Sequence, residues 1–116
     1  MRRSLWIGAG LLLSVPIAVL AKPEIQAGAH KALKIKPTSR VGQAQCVLCH
    51  VAPNNYKFNR FGHDLHEAAE KLKVKAFTPE LIKLVGRIDS DKDGYTNARE
   101  LAADTLPGDP KSKPRK

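Results

Sequence analysis

The chain has 116 residues, with 20 Lys and Arg against 11 Asp and Glu for a formal charge of +9, and two cysteines. That length allows one small domain with a marginal apolar core, of the kind that draws stability from a cofactor, metal or disulfide. Aromatic residues make up 5% and are hardly interleaved with the lysines, which excludes base stacking on nucleic acid; the basic balance reads as solubility, or as steering toward an acidic protein partner or an anionic membrane surface.

The opening "MRRSLWIGAGLLLSVPIAVLA" places Arg2 and Arg3 before an apolar run and ends on small residues at Ala18 and Ala21. This is the layout of a secretory signal peptide over residues 1–21, cut between Ala21 and Lys22. The apolar run from Leu5 to Ala21 contains Pro16 and falls short of the roughly 20 residues of a membrane-spanning helix, so retention as an anchor is the lesser alternative. Loss of Arg2 and Arg3 takes the formal charge from +9 to +7.

Residues 22–44 form a Lys-rich arm, a short helix or extended segment followed by a loop around Pro37. Residues 51–60, "VAPNNYKFNR", carry Pro53, Asn54, Asn55 and Asn59 and are expected to be a loop. Beyond Gly62, Leu65, Ala68, Ala69 and Leu72 recur at helical spacing, predicting a helix over 62–74. Thr78 as N-cap and Pro79 at the first position start a helix over 79–88, and a further helix runs over 97–104 until Pro107 and Gly108. The tail, residues 107–116, is basic and proline-rich and is expected to be disordered. No segment alternates as a strand, so the expected fold is all-α: a haem-organised helical region, 45–77, running into a helix-loop-helix calcium unit, 78–106.

The haem expectation comes from Cys46-Val47-Leu48-Cys49-His50. A thioredoxin-type redox pair wants a βαβ context, a zinc site wants a second ligand pair, and a structural disulfide has no use for the histidine. Two thiols three positions apart on a helical turn can add to two vinyl groups at one edge of a haem, and His50 then reaches the iron as proximal ligand. Met1 is the only methionine and leaves with the signal peptide, so His/Met ligation is not expected. His66 is the distal candidate, with His63 and His30 as alternatives and an open distal face as another.

A second constellation, "DSDKDGYTNARE" at 89–100, matches a calcium loop position by position. Asp89, Asp91 and Asp93 stand at positions 1, 3 and 5, Gly94 at 6, the Tyr95 carbonyl at 7, Asn97 at 9 and Glu100 at 12. With one such loop and no methionine-rich groove, the ion reads as structural, at an affinity on the order of 10⁻⁴ to 10⁻³ M.

The segment "CVLCHVAPNNYKFNRFGHDL" resembles small exported monohaem c-type cytochromes, in which CxxCH is followed by an Asn-rich loop and an aromatic-Gly pair, here Phe61-Gly62. "DSDKDGYTNARELAADTLPGDP" is similar to the single calcium loops of EF-hand, dockerin and thrombospondin type 3 repeats. The resemblance implies haem c on Cys46, Cys49 and His50, Ca²⁺ on Asp89, Asp91, Asp93, Asn97 and Glu100, and periplasmic electron transfer to a redox partner protein. The missing methionine departs from soluble class I cytochromes. As rivals, the chain would be a haem protein with an open distal site for small ligands or peroxide, or a calcium-dependent haem relay in a larger complex.

Overall fold

The structure is a computed structural model and describes residues 23–115; the export signal expected at 1–21 and its cleavage point lie outside them. In chain order come α1 (Pro23–Ala32), α2 (Arg40–Ala44), a 3-10 turn (Gln45–Leu48), β1 (His50–Ala52), β2 (Asn55–Phe58), α3 (Arg60–Leu72), α4 (Pro79–Gly86) and α5 (Asn97–Ala102).

The all-α expectation is corrected by the hairpin. Strands β1 and β2 pair antiparallel, His50 opposite Phe58 and Ala52 opposite Asn55, with an irregular register between. Pro53 and Asn54 form the turn, as their chemistry predicts. The strands escape sequence patterning because β2 is exposed at all of its residues, so there is no buried face to write an apolar alternation into the sequence. Residues 51–60 are therefore a ribbon followed by a helix start, not a loop.

Helix α3 begins at Arg60, before the expected Gly62, because Asn59 caps it: its Oδ1 accepts the Gly62 N–H at 2.9 Å. It ends where Lys73 turns left-handed at φ 55°. Phe61, Gly62, Leu65 and Ala68 are its buried face and meet Leu81 and Val85 of α4, whose start is capped by Thr78. Val41 and Leu48 complete this core, so the cysteine segment is packed directly on the helix pair.

The region after α5 closes the molecule. The Asp104 carboxylate accepts the Arg40 and Val41 N–H groups at 3.0 and 2.9 Å, while Ser39 caps Gly42 at 3.0 Å. The exposed donors of the short α2 are thereby satisfied from two directions. Instead of trailing away, the described tail residues form turns: the Leu106 N–H donates to Ser112 Oγ at 2.8 Å, and Pro107 and Pro114 are buried.

Candidate functional site

Two sites stand on this frame. In the first, the 3-10 turn brings Cys46 and Cys49 onto one face of a single turn, closed by the Cys49 N–H on the Cys46 carbonyl at 3.3 Å. Both are free thiols. Burial, with the neighbouring Cys46, pushes the Cys49 thiol up to about 11. A redox dithiol needs the reverse, a thiolate held near neutral pH, so the environment disfavours the thioredoxin-type alternative.

Asn59 organises the backbone around this turn. Its Nδ2 donates to the Val47 and Leu48 carbonyls at 2.9 and 3.1 Å, and its N–H donates to the Cys49 carbonyl at 2.8 Å. Gly62 then lies against that same carbonyl, where a Cβ would collide with it; this close approach is the reason for glycine after Phe61.

His50 leaves the turn at the start of β1. Its Nδ1 lies 3.0 Å from the Tyr56 carbonyl, and since a carbonyl only accepts, Nδ1 carries the proton and Nε2 presents a lone pair. A metal-ligating histidine is ordinarily fixed in this way. Its ring stacks on Phe58 at 5.3 Å between centroids and 17° between planes, with Tyr56 edge-on at 5.8 Å.

Beside Cys49 opens a cleft of about 290 Å³ walled by Ile25, Cys49, Phe58, Gly62, Leu65, His66, Ala69, Val74, Phe77 and Leu81, with Glu70 and Lys75 at its edge. Apolar walls and the half-buried Cys49 thiol suit a large apolar group, and the oriented His50 imidazole and Cys46 stand next to the cleft in sequence without lining it. Of the three histidines considered for the distal side, His66 lines this cleft. His63 is 60% exposed and lies between Asp64 and Glu67 at 3.6 and 3.5 Å. His30 is half-buried on α1, its Nε2 shielded without a hydrogen-bond partner.

In the second site, Asp89, Asp91 and Asp93 bring carboxylate oxygens within 4.8 Å of one another. One side of the cluster is satisfied by the loop itself: Asp89 accepts the Asp93 and Gly94 N–H groups at 3.2 and 2.9 Å, and Asp93 accepts the Tyr95 N–H at 2.9 Å. Gly94 permits the turn at φ 96°. The other side has no donor. Asp91 Oδ2, Asp93 Oδ2 and both oxygens of the fully buried Glu100 are shielded and unpartnered.

Burial, followed by the carboxyls of Asp93, Asp91 and Asp89, pushes Glu100 up to about 9. Burial and then Asp93 push Asp91 up to about 6. Asp93 is held below its ordinary value: burial opposes ionisation, but the Tyr95 N–H and other hydrogen bonds outweigh it. Buried carboxylates without donors are costly, and a hard divalent cation with oxygen ligands relieves that cost, so the donor set fits Ca²⁺.

Asn97 does not join the expected ligands. Its amide donates to the Val85 carbonyl and Ser90 Oγ at 2.9 and 2.8 Å and accepts the Ser90 N–H at 3.3 Å, clamping the entry of the loop to α4. Sequence reasoning missed Asn59, Arg60 and Asp104. Asn59 carries an N-cap signal, whereas Arg60, whose Nη1 donates to the Asp91 carbonyl at 3.0 Å, and Asp104 act across the fold and leave no local signature. No family model, curated protein or solved structure matches this chain.

Proposed function

We propose that this chain is an exported c-type cytochrome that carries single electrons on one haem attached through Cys46 and Cys49, with His50 as an axial ligand and Ca²⁺ held structurally in the 89–100 loop. The observation that carries this reading is the His50 Nδ1 contact with the Tyr56 carbonyl at 3.0 Å, next to two free thiols on one turn and an apolar cleft. Cys46 and Cys49 would hold the haem as thioethers, each made by adding the S–H across a vinyl double bond with no oxidant consumed.

A bound haem supplies reversible one-electron exchange at its iron. The chain's own residues do the rest. His50 offers Nε2 with its tautomer fixed, Leu65, Phe77 and Leu81 exclude water from the cleft, and Asn59 holds the attachment turn against α3. Lys71 in the last turn of α3 and Lys73 and Lys75 just beyond it are exposed, with Lys75 in the cleft wall, which supports docking to an acidic redox partner.

Maturation with a c-type haem-attachment system tests the reading. Haem that stays with the denatured wild-type chain and is lost from the Cys46→Ala, Cys49→Ala double variant is the expected result. A wild-type chain that releases its haem on denaturation, or takes none, overturns it.

A further inference from the structure

Helix α3 carries a second group of polar side chains, His63, Asp64 and Glu67, none of which lines the cleft beside Cys49. His63 and Glu67 are four positions apart and so are neighbours on the helix surface. The His63 ring stands between the two carboxylates, with Nδ1 3.6 Å from Asp64 Oδ1 and Nε2 3.5 Å from Glu67 Oε1. Both separations are longer than a good N–H···O hydrogen bond. They come close to the spacing of about 3.3 Å between two ligand atoms that share one tetrahedral ion, each at about 2.0–2.1 Å from it. One ligand atom from each of the three residues lies within 4.8 Å of the other two.

No fixed positive charge answers these carboxylates. Arg60 stands four positions before Asp64 and Lys71 four after Glu67, where each could pair along the helix. Arg60 instead donates to the Asp91 carbonyl at 3.0 Å. Although the chain has 20 Lys and Arg, among the described residues none comes within 4.0 Å of Asp64 or Glu67, and His63 is their one ionic partner. Asp64 is held in place, its side chain 27% exposed. Asp64 and Glu67 also share the wall of an open hollow of about 620 Å³, which leaves room for water beside them.

We propose that His63, Asp64 and Glu67 bind a divalent transition-metal ion of the Zn²⁺ class, with water in the fourth position. One imidazole nitrogen and two carboxylates form a mixed nitrogen and oxygen set that suits such an ion. The loop at 89–100 offers carboxylate and carbonyl oxygens, the set that suits Ca²⁺. The two sites therefore select different metals. The α3 site takes no ligand from the cysteine segment, so it stands whether or not haem is attached at Cys46 and Cys49.

The test is calorimetric titration of Zn²⁺ into the full chain at saturating Ca²⁺, which keeps the acidic loop occupied. His63→Ala is expected to lose one equivalent of bound Zn²⁺ relative to wild type. Asp64→Asn and Glu67→Gln should weaken that equivalent by at least the factor of about 10 that even an outer partner of a metal site is worth. His66→Ala and the Cys46→Ala, Cys49→Ala double variant should keep it. A second readout needs no variant to bind: the His63 ring-proton resonances, identified as those missing from His63→Ala, should move when Zn²⁺ is added to wild type. The proposal is overturned by a His63→Ala variant that binds Zn²⁺ as wild type does, by loss of the equivalent in His66→Ala or in the double cysteine variant, or by His63 resonances that stay in place.

Discussion

The acidic loop at 89–100 and the cysteine segment prepare a candidate site in opposite ways. The loop draws its donors from residues 89–100 alone, so spacing along the chain nearly dictates geometry, and it leaves four carboxylate oxygens buried without partners. The cysteine segment draws on Asn59 and the Tyr56 carbonyl of the hairpin that follows it, while Asp104 reaches across the fold to the start of α2, and the polar groups around His50 are satisfied by the protein itself. The loop is therefore an electrostatically strained unit that a cation would complete, while the cysteine segment is a frame already organised by the protein's own hydrogen bonds.

The largest expected effect follows from removing Ca²⁺. Glu100 ordinarily titrates at 4.5 but is pushed up to about 9 in the fold, so between these pH values the folded state holds a proton that the unfolded chain has released. Stability of the chelated protein therefore falls as pH rises through this window. Saturating Ca²⁺ replaces the proton and should flatten this fall, as unfolding midpoints at pH 5 and pH 9 with and without chelator would show. Glu100→Gln should split the two effects: Ca²⁺ affinity drops about 100-fold, roughly 2.8 kcal/mol, while the chelated protein becomes more stable near neutral pH because folding no longer has to protonate a buried carboxylate. Unchanged affinity by calorimetry would remove Glu100 from the ligand set.

In the cysteine region the matching lesion is Asn59→Ala, which deletes the α3 cap and the bonds to the Val47 and Leu48 carbonyls. About 2–4 kcal/mol of unfolding free energy should be lost. A loss below about 1 kcal/mol in chemical denaturation would mean that the hairpin, rather than Asn59, holds the attachment turn.

The same contrast explains what could be read from the chain. Helices α3, α4 and α5 were legible because caps and apolar spacing are local signals; their ends moved by about two residues where Asn59 and Lys73 set them. The acidic positions of the loop were legible for the same reason, but Asn97 filled its motif position and still turned to Val85 and Ser90, because a motif records residue type and not direction. The hairpin was lost because its strands are short and exposed. On the helical wheel His66 sits about 110° from the centre of the α3 stripe, and only the cleft formed with Phe58 and Phe77 shows which way it faces.

Asp104 carries a smaller effect that joins the two regions. The Val41 and Arg40 N–H groups hold its carboxyl below the ordinary 3.8, so its contribution is present above that pH and is lost as pH falls through the lower folded value. Asp104→Asn should cost about 1–2 kcal/mol near neutral pH and flatten the acid limb of the stability curve. An acid limb identical to wild type would show that α2 frays without consequence.

The smallest effect, and the sharpest separation of the two regions, is expected from Arg60→Ala. Arg60 opens α3, next to Asn59, and its Nη1 donates to the Asp91 carbonyl at 3.0 Å, tying the helix that packs on the cysteine segment to the third position of the acidic loop. The residue is exposed, so this bond should be worth about 1 kcal/mol and its loss should weaken Ca²⁺ binding about fivefold. Two effects compete, because the bond positions Asp91 while the guanidinium repels an approaching cation. Positioning should win, since Asp91 is buried with one oxygen unpartnered and the arginine charge faces solvent, where water and salt screen it. A gain in Ca²⁺ affinity would reverse that ranking and make Arg60 a brake on the loop rather than a support. Because the bond ends on a backbone carbonyl and not on a haem-side group, the haem spectrum should stay unchanged in either case.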